Sequence, residues 1–522
     1  MVGRTPDPAH CRPTLSDHLS PGGPQAQASR PYPDLDHHPQ ETIDMPDTYQ
    51  NYIDGRFVPH RGATIAVHNP ADHRLIAEVP DGDAAAVDAA VSAARRAQPA
   101  WERLPAIQRA GYLRQISVKL REHAEALATT IAREQGKVMP LARVEVNFTA
   151  DYIDYMAEWA RRLEGEVLTS DRPNEHMFLL RKPIGVAAGI LPWNFPFFLI
   201  ARKMAPALIT GNTVVIKPSE ETPLNAFAFT QLLAQTDLPP GVFNLVSGKG
   251  ASTGAELVAH KGVNLITFTG SVTTGVRIMQ AAAPNLTRVN LELGGKAPAI
   301  VLKDADLDLA AQALVASRII NTGQVCNCAE RVYVQREVLG ALTDKIVQRM
   351  AATRFGNPLL DETLDMGPLI NQAGLDKVAR LVDEARAAGA EVLTGGRRAD
   401  VGHGYHYLPT VVAGCRQDMS IMRDEIFGPV LPLQAVDDMD EAIALANDSD
   451  YGLTSSIFTR DLNAAMKACR ELQFGETYIN REHFEAMQGF HAGRKKSGIG
   501  GADGRHGLLE FTETHVVYMQ TT

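Results

Sequence analysis

At 522 residues, 45% hydrophobic and 21% charged, the chain has an ordinary globular composition. It is too long for one core, which stops growing at roughly 250 to 300 residues. Its net charge of -10 excludes the basic footprint of a nucleic-acid binder or of a protein drawn to an anionic membrane, so a small molecule is the expected partner. Five cysteines without regular spacing exclude a disulfide scaffold and point to a reducing compartment, the cytoplasm.

Residues 1–46 are rich in Pro, His, Asp and Gln and show no charged-then-apolar leader. They cannot bury enough apolar surface to offset their ordering entropy and are expected to be a disordered extension. The composition changes at Met45, which suggests that translation starts there; peptides from residues 1–44 detected in the native host would dispose of that idea. An Ala-rich run behind Asp83 predicts a helix over 83–97, and amphipathic spacing predicts a second, long helix over 109–133. Residues 164–170 and 177–181 are expected to form a hairpin.

Short apolar runs at 186–190, 213–216, 242–246 and 265–268 read as buried parallel strands alternating with helices, which is a doubly wound, Rossmann-like α/β domain. The longest apolar stretch, 185–200, is interrupted by Pro192, Asn194 and Pro196 and falls short of the roughly 20 residues that span a bilayer. A second alternation over 298–479, with helices expected at 306–321, 374–388 and 439–447, predicts a second α/β domain. Residues 514–520 read as a strand-like arm. The expected division is a nucleotide-binding domain from 47–163 and 184–294, a catalytic domain from 295–502, and a small β arm from 164–183 and 503–522. Such appendages commonly pair with another subunit, here as a homodimer or homotetramer.

Two small-residue loops carry the sharpest chemistry. Cys326, in Gly323-Gln324-Val325-Cys326, offers a thiol, and Glu292, in Leu291-Glu292-Leu293-Gly294-Gly295-Lys296, offers a carboxylate among apolar neighbours. A carboxylate so placed should have a raised pKa, which suits it to take a proton from thiol or water near neutrality. Asn194, at the end of a strand in Pro192-Trp193-Asn194-Phe195-Pro196, has an amide able to donate to a developing oxyanion. An Asn between prolines also reads simply as a turn residue.

Val246-Ser247-Gly248-Lys249-Gly250, before a helix containing Gly254, and Thr267-Phe268-Thr269-Gly270-Ser271, opening the next helix, place backbone amides where phosphate oxygens bind. A plain Gly-rich turn is the competing reading. Lys217 lies at the carboxyl edge of its strand, and Glu220 would accept from a ribose diol and repel a 2′-phosphate, which favours NAD over NADP. A solvated charged turn is the alternative. Glu425 and Phe427, in Glu425-Ile426-Phe427-Gly428-Pro429, would meet the nicotinamide ribose and ring, or form an ordinary loop. Cys326 and Cys328 lack the partners of a zinc site, so no metal is expected. Cys11, Cys415 and Cys469 have no activating context.

PWNFP, KPSE, FTGS, LELGGK, GQVC and EIFGPV, in that order, resemble the aldehyde dehydrogenase superfamily over roughly residues 47–522. The resemblance implies Cys326 as nucleophile, Glu292 as general base, and Asn194 with the Cys326 backbone amide as oxyanion hole. It also implies NAD held by Pro192, Trp193, Lys217, Ser219, Glu220, Gly250, Gly254, Gly270, Ser271, Glu425 and Phe427. The segments 150–159 and 480–493 resemble the lactaldehyde and glycolaldehyde dehydrogenases of that family, which implies a small hydroxyaldehyde as substrate and places Arg202, Glu485 and His491 against it. A structural Arg202–Glu485 ion pair with a satisfied loop histidine is the competing reading.

Three other functions remain open on the residues alone. They are an aldehyde dehydrogenase of another substrate such as a semialdehyde, a non-catalytic binding protein that keeps the fold, and a cofactor-free cysteine hydrolase. The last normally pairs its thiol with a histidine, and none lies near Cys326 in sequence.

Overall fold

The computed structural model describes residues 48–522; the Pro-rich segment, the start expected at Met45 and Cys11 lie outside the described residues. Two sheets form the frame. The first has eight strands in the order Arg56–Val58, Asn51–Ile53, Phe243–Leu245, Thr213–Lys217, Val186–Ile190, Leu265–Thr269, Arg288–Glu292 and Gly498–Ile499. Its five central strands are parallel. Val186–Ile190 and Thr213–Lys217 are buried at every position, which is why they read as unbroken apolar runs: helices cover both faces. The strand order reverses between Val186–Ile190 and Leu265–Thr269, and ligands of open α/β sheets bind beyond the carboxyl ends at such a reversal.

The second sheet runs Glu391–Thr394, Thr410–Ala413, Val430–Val436, Ala329–Gln335, Ala297–Val301, Thr454–Phe458 and Glu476–Ile479. It is parallel except at the Glu391–Thr394 edge. The helices expected here are Leu307–Ile319, Gln372–Ala387 and Met439–Asn447. A third, three-stranded antiparallel sheet joins the tail Thr512–Gln520 to Glu175–Pro183 and Glu166–Leu168. Among the described residues no helix is long and apolar enough to cross a membrane.

Four details differ from the sequence reading. The helix behind Asp83, whose carboxylate caps Ala86 N–H at 2.9 Å, runs on to Arg103. The long helix expected over 109–133 is two helices, Ala106–Glu122 and Ala124–Gln135, parted at His123. The apolar stripe hides that break, because buried Leu120 and Leu127 are a heptad apart and stay in phase across it. At the other end of the chain, Gly498–Ile499 falls in the range expected for the second domain yet pairs antiparallel with Arg288–Glu292 of the first sheet. Asp503, expected to begin the arm, is instead buried beside Arg202.

Candidate active site

Glu292 ends a strand of the first sheet, and Cys326 sits just ahead of Ala329–Gln335 in the second. Gly295 brings the two loops together: a Cβ there would lie 2.3 Å from the Cys326 carbonyl oxygen, so only glycine permits the approach. The turn into Cys326 is strained, with Asn321, Thr322 and Gly323 left-handed at φ 47°, 60° and 74°. Such a conformation costs roughly 1–3 kcal/mol at each non-glycine residue and persists only where its surroundings over-determine it. Here Asn321 Nδ2 donates to the Asn194 carbonyl at 3.0 Å, and Thr322 Oγ1 to the Gly367 carbonyl at 2.9 Å. Gln324 Nε2 donates to the Asn321 carbonyl at 3.0 Å, and Arg318 also donates to the Gly323 carbonyl.

Cys326 is half-buried and lines a cavity of about 280 Å³ together with Glu292. Cys328 and Cys415 are buried and their thiols are pushed up to about 12, mainly by desolvation. Neither is a nucleophile near neutral pH. Glu292 is buried, and neither of its oxygens has a hydrogen-bond partner. Burial pushes it up to about 7, against the pull of His491, Lys203 and Arg202. An unpartnered carboxylate at that value has the chemistry of a general base for water.

The fold brings a histidine to the thiol after all. His491 Nε2 is 3.7 Å from Glu292 Oε2, its ring lies beside Cys326 in the same cavity, and Nδ1 is 2.6 Å from Glu476 Oε1. Lys203, wholly buried on the helix Phe198–Thr210, is lowered to about 8 by desolvation although Glu292 opposes the shift.

Asn194 is held from both sides. Lys137 Nζ donates to its carbonyl at 2.8 Å, and Lys137 itself pairs with Glu145, which accepts from Phe197 N–H at 2.9 Å and Phe198 N–H at 3.1 Å. One hydrogen of the Asn194 amide goes to the Gln324 carbonyl at 3.0 Å. The amide has a second hydrogen left for an oxyanion.

Arg202 is 5% exposed within a helix that is buried at every position. Asp503 accepts from its Nε at 3.0 Å and also from Nη2, while Glu485 Oε1 accepts from Nη2 at 3.1 Å. Glu485 Oε2 accepts from Asn327, next to the nucleophile. The ion pair therefore exists, and Arg202 and Glu485 also line the cavity that Glu292 lines.

The cavity is also lined by Pro192, Trp193, Gly270, Ser271, Glu425 and Phe427. Trp193 and Phe427 meet edge to face at 5.5 Å. Phe427 is left-handed at φ 56°, fixed by its N–H donating to Glu330 Oε1 at 3.1 Å. Glu330 resists desolvation and is held down to about 2 by Lys296 and Arg318. Glu425 Oε1 accepts from Gly295 N–H at 2.9 Å, and burial raises its carboxyl.

Lys217, Ser219, Glu220, Gly250 and Gly254 do not line this cavity. They cluster beyond the carboxyl end of Thr213–Lys217, where Lys217 Nζ is 3.1 Å from Glu220 Oε2 and Gly250 N–H donates to Glu220 Oε1 at 3.1 Å. Desolvation works against the Glu220 carboxylate, but Lys217 and that amide hold it below its usual range. Several amides expected to meet phosphate are already used: Gly254 N–H donates to the Lys249 carbonyl at 3.1 Å, and Gly270 N–H to the Glu292 carbonyl at 3.0 Å. Ser271 caps Val272–Ala282 by accepting from Thr274 N–H at 3.3 Å.

A dinucleotide fits this set. The Glu220 carboxylate remains partly exposed, with oxygens able to accept from a diol, and Trp193 and Phe427 line the cavity that holds Cys326. Asp503, Glu476, Lys203, Asn327, Glu330 and the Lys137–Glu145 pair escaped the sequence reading. The one available signal was Arg202-Lys203 inside an apolar helix, since buried cations require buried carboxylates, but nothing in the sequence says which.

The aldehyde dehydrogenase family model matches residues 57–517. The lactaldehyde dehydrogenase of Escherichia coli K12 is 58% identical over 480 residues, covering 92% of this chain and 100% of the relative. A crystal structure of E. coli lactaldehyde dehydrogenase superposes with a TM-score of 0.90 over 91% of this chain and 99% of that one. A Staphylococcus aureus betaine aldehyde dehydrogenase solved in complex with NAD+ is 34% identical, with a TM-score of 0.88 over 91% of this chain and 95% of that one.

Proposed function

The chain belongs to the aldehyde dehydrogenase family, and from that premise we propose that it oxidises small hydroxyaldehydes, lactaldehyde and glycolaldehyde, to their carboxylic acids with NAD. The observation that carries this reading is that the polar groups of Arg202, Glu485 and His491 line the same cavity as Cys326 and Glu292. NAD, when bound, supplies the two-electron oxidant at its nicotinamide ring.

The chain's own residues do the rest. Cys326 Sγ adds to the aldehyde carbon, and the free N–H of Asn194 takes the oxygen that becomes negative. After oxidation the acyl group is a thioester on Cys326. Glu292, with both oxygens unpartnered, takes a proton from the water that cleaves it, and the acid leaves.

The cavity discriminates by charge as well as by hydrogen bonding. Asp503 and Glu485 occupy the guanidinium of Arg202 and Glu476 is paired with His491, so the carboxylate of a semialdehyde would meet Glu485 rather than an unpaired cation. A substrate hydroxyl, in contrast, can both donate to Glu485 and accept from Arg202 or His491. We expect kcat/KM for L-lactaldehyde and glycolaldehyde to exceed that for propanal by about 100-fold, because polar groups left unmet by the substrate penalise an analogue lacking the hydroxyl. Succinic semialdehyde should be similarly poor. Equal kcat/KM for propanal and lactaldehyde, or a preference for the semialdehyde, would refute the assignment.

The arm supports association of two or more copies. Val167, Leu180, Tyr518 and Met519 on its strands are exposed apolar side chains, and such surface on a sheet edge favours pairing with another chain. Light scattering at micromolar concentration should give the mass of a dimer or tetramer; a monomer would rule this out.

A further inference from the structure

We infer that Glu476 is a positioning residue of this active site: its carboxylate takes the Nδ1–H of His491 and turns the opposite ring nitrogen into the space between Cys326 and Glu292. The inference rests on the roles just given to those two residues. Glu476 begins the outer strand of the second sheet, on a different element from the loop that carries His491. Its Oε1 is 2.6 Å from His491 Nδ1, and the Tyr478 hydroxyl donates to its Oε2, so both carboxylate oxygens are committed. The His491 backbone is fixed independently: its N–H donates to the Ala502 carbonyl at 2.9 Å and its carbonyl accepts from Ala502 N–H at 2.8 Å. With the backbone pinned and Nδ1 engaged, the ring has one orientation. Nε2 then lies 3.7 Å from Glu292 Oε2, in the cavity that Cys326 also lines.

The same contact fixes the charge. His491 is 2% exposed at its side chain, and burial alone would keep it neutral. The Glu476 carboxylate, with the Cys326 side chain, instead raises its pKa well above the ordinary imidazole value. The titratable and charged groups around it are Glu476 and Tyr478 from the strand, Glu292 and Cys326 from the two catalytic loops, Arg202 and Lys203 from the buried helix, Glu485 from its own loop, and Asp503 beside Arg202. Of these carboxylates, Glu485 and Asp503 are bonded to Arg202 and Glu292 needs its free oxygens for water. Glu476 is thus the one committed to His491, and it serves no other step.

Glu476→Gln tests this, because the amide oxygen can still accept from Nδ1–H while the negative charge is gone. Without that charge, burial and Arg202 act on His491 with Glu476 no longer opposing them, so it should lose its proton at a much lower pH than in wild type and be neutral at pH 8. The kcat/KM of Glu476→Gln relative to wild type should therefore be about tenfold lower at pH 8 than at the acid end of the range, where the variant's His491 regains its proton, and Glu476→Gln should add no further loss in a His491→Asn background. A ratio independent of pH, or a full further loss in that background, would show that Glu476 only supports the fold. A second readout needs no turnover. In 15N-histidine spectra, with His491 assigned by difference from His491→Asn, both ring nitrogens should be protonated at pH 8 in wild type and not in Glu476→Gln. Identical protonation in the two proteins overturns the inference. If wild type oxidises no aldehyde, the proposed function fails while these spectra still decide the role of Glu476.

Discussion

Cys326→Ala should lose NADH formation with glycolaldehyde by roughly 10⁴-fold or more, the scale seen when a covalent nucleophile is removed. NAD binding should survive. The Lys217–Glu220–Gly250 cluster lies on another strand end, away from the cavity that holds Cys326, and the Trp193–Phe427 pair does not depend on the sulfur. Trp193 lines the cavity, so quenching of tryptophan fluorescence by NAD measures binding in the inactive protein. Neither Cys328 nor Cys415 can replace Cys326, because both are buried with thiols pushed up to about 12, and exposed Cys469 does not line the cavity. An unchanged steady-state rate in Cys326→Ala would refute the covalent route.

Glu292→Gln should separate the two halves of the reaction. Acyl formation at Cys326 does not need the carboxylate to activate water, so mixing with aldehyde and NAD should give a burst of NADH close to one per site. The steady-state rate should fall by about 10² to 10⁴, the usual contribution of a general base. The pH dependence follows from the value of about 7 that burial gives Glu292. A base acts only when deprotonated, so wild-type turnover should rise with pH up to about 7 and level off above it. Below that it should fall toward tenfold per pH unit. Glu292→Gln should lack this ionisation. A variant that keeps the wild-type rate, or shows the same rise with pH, would remove Glu292 from the role.

The strands at the core of the first domain were legible because parallel strands buried on both faces must be apolar throughout, as Val186–Ile190 and Thr213–Lys217 are. Met439–Asn447 was legible through its acidic cap, Asp438, and its 3.6-residue spacing. Cys326 and Glu292 stood out because each lies in a small-residue loop, and Gly295 now explains part of that composition as close approach. What the sequence hid is long-range. His491 reaches Cys326 through the Ala502 bridge and the return of Gly498–Ile499 to the first sheet, a crossing that a two-residue strand cannot signal. Asp503 sits at φ 69° and turns its carboxylate onto Arg202, which no local pattern reveals. The break at His123 was masked for the opposite reason, since the apolar stripe runs through it without change of phase.

The acyl group itself is the most direct object to look for. Glu292→Gln mixed with glycolaldehyde and NAD, quenched in acid within the burst and digested, should yield the peptide containing Cys326 with a glycoloyl group on that sulfur, close to one per site. The same peptide carrying no acyl group while NADH has formed, or the group found on another residue, would contradict the covalent mechanism at its first step.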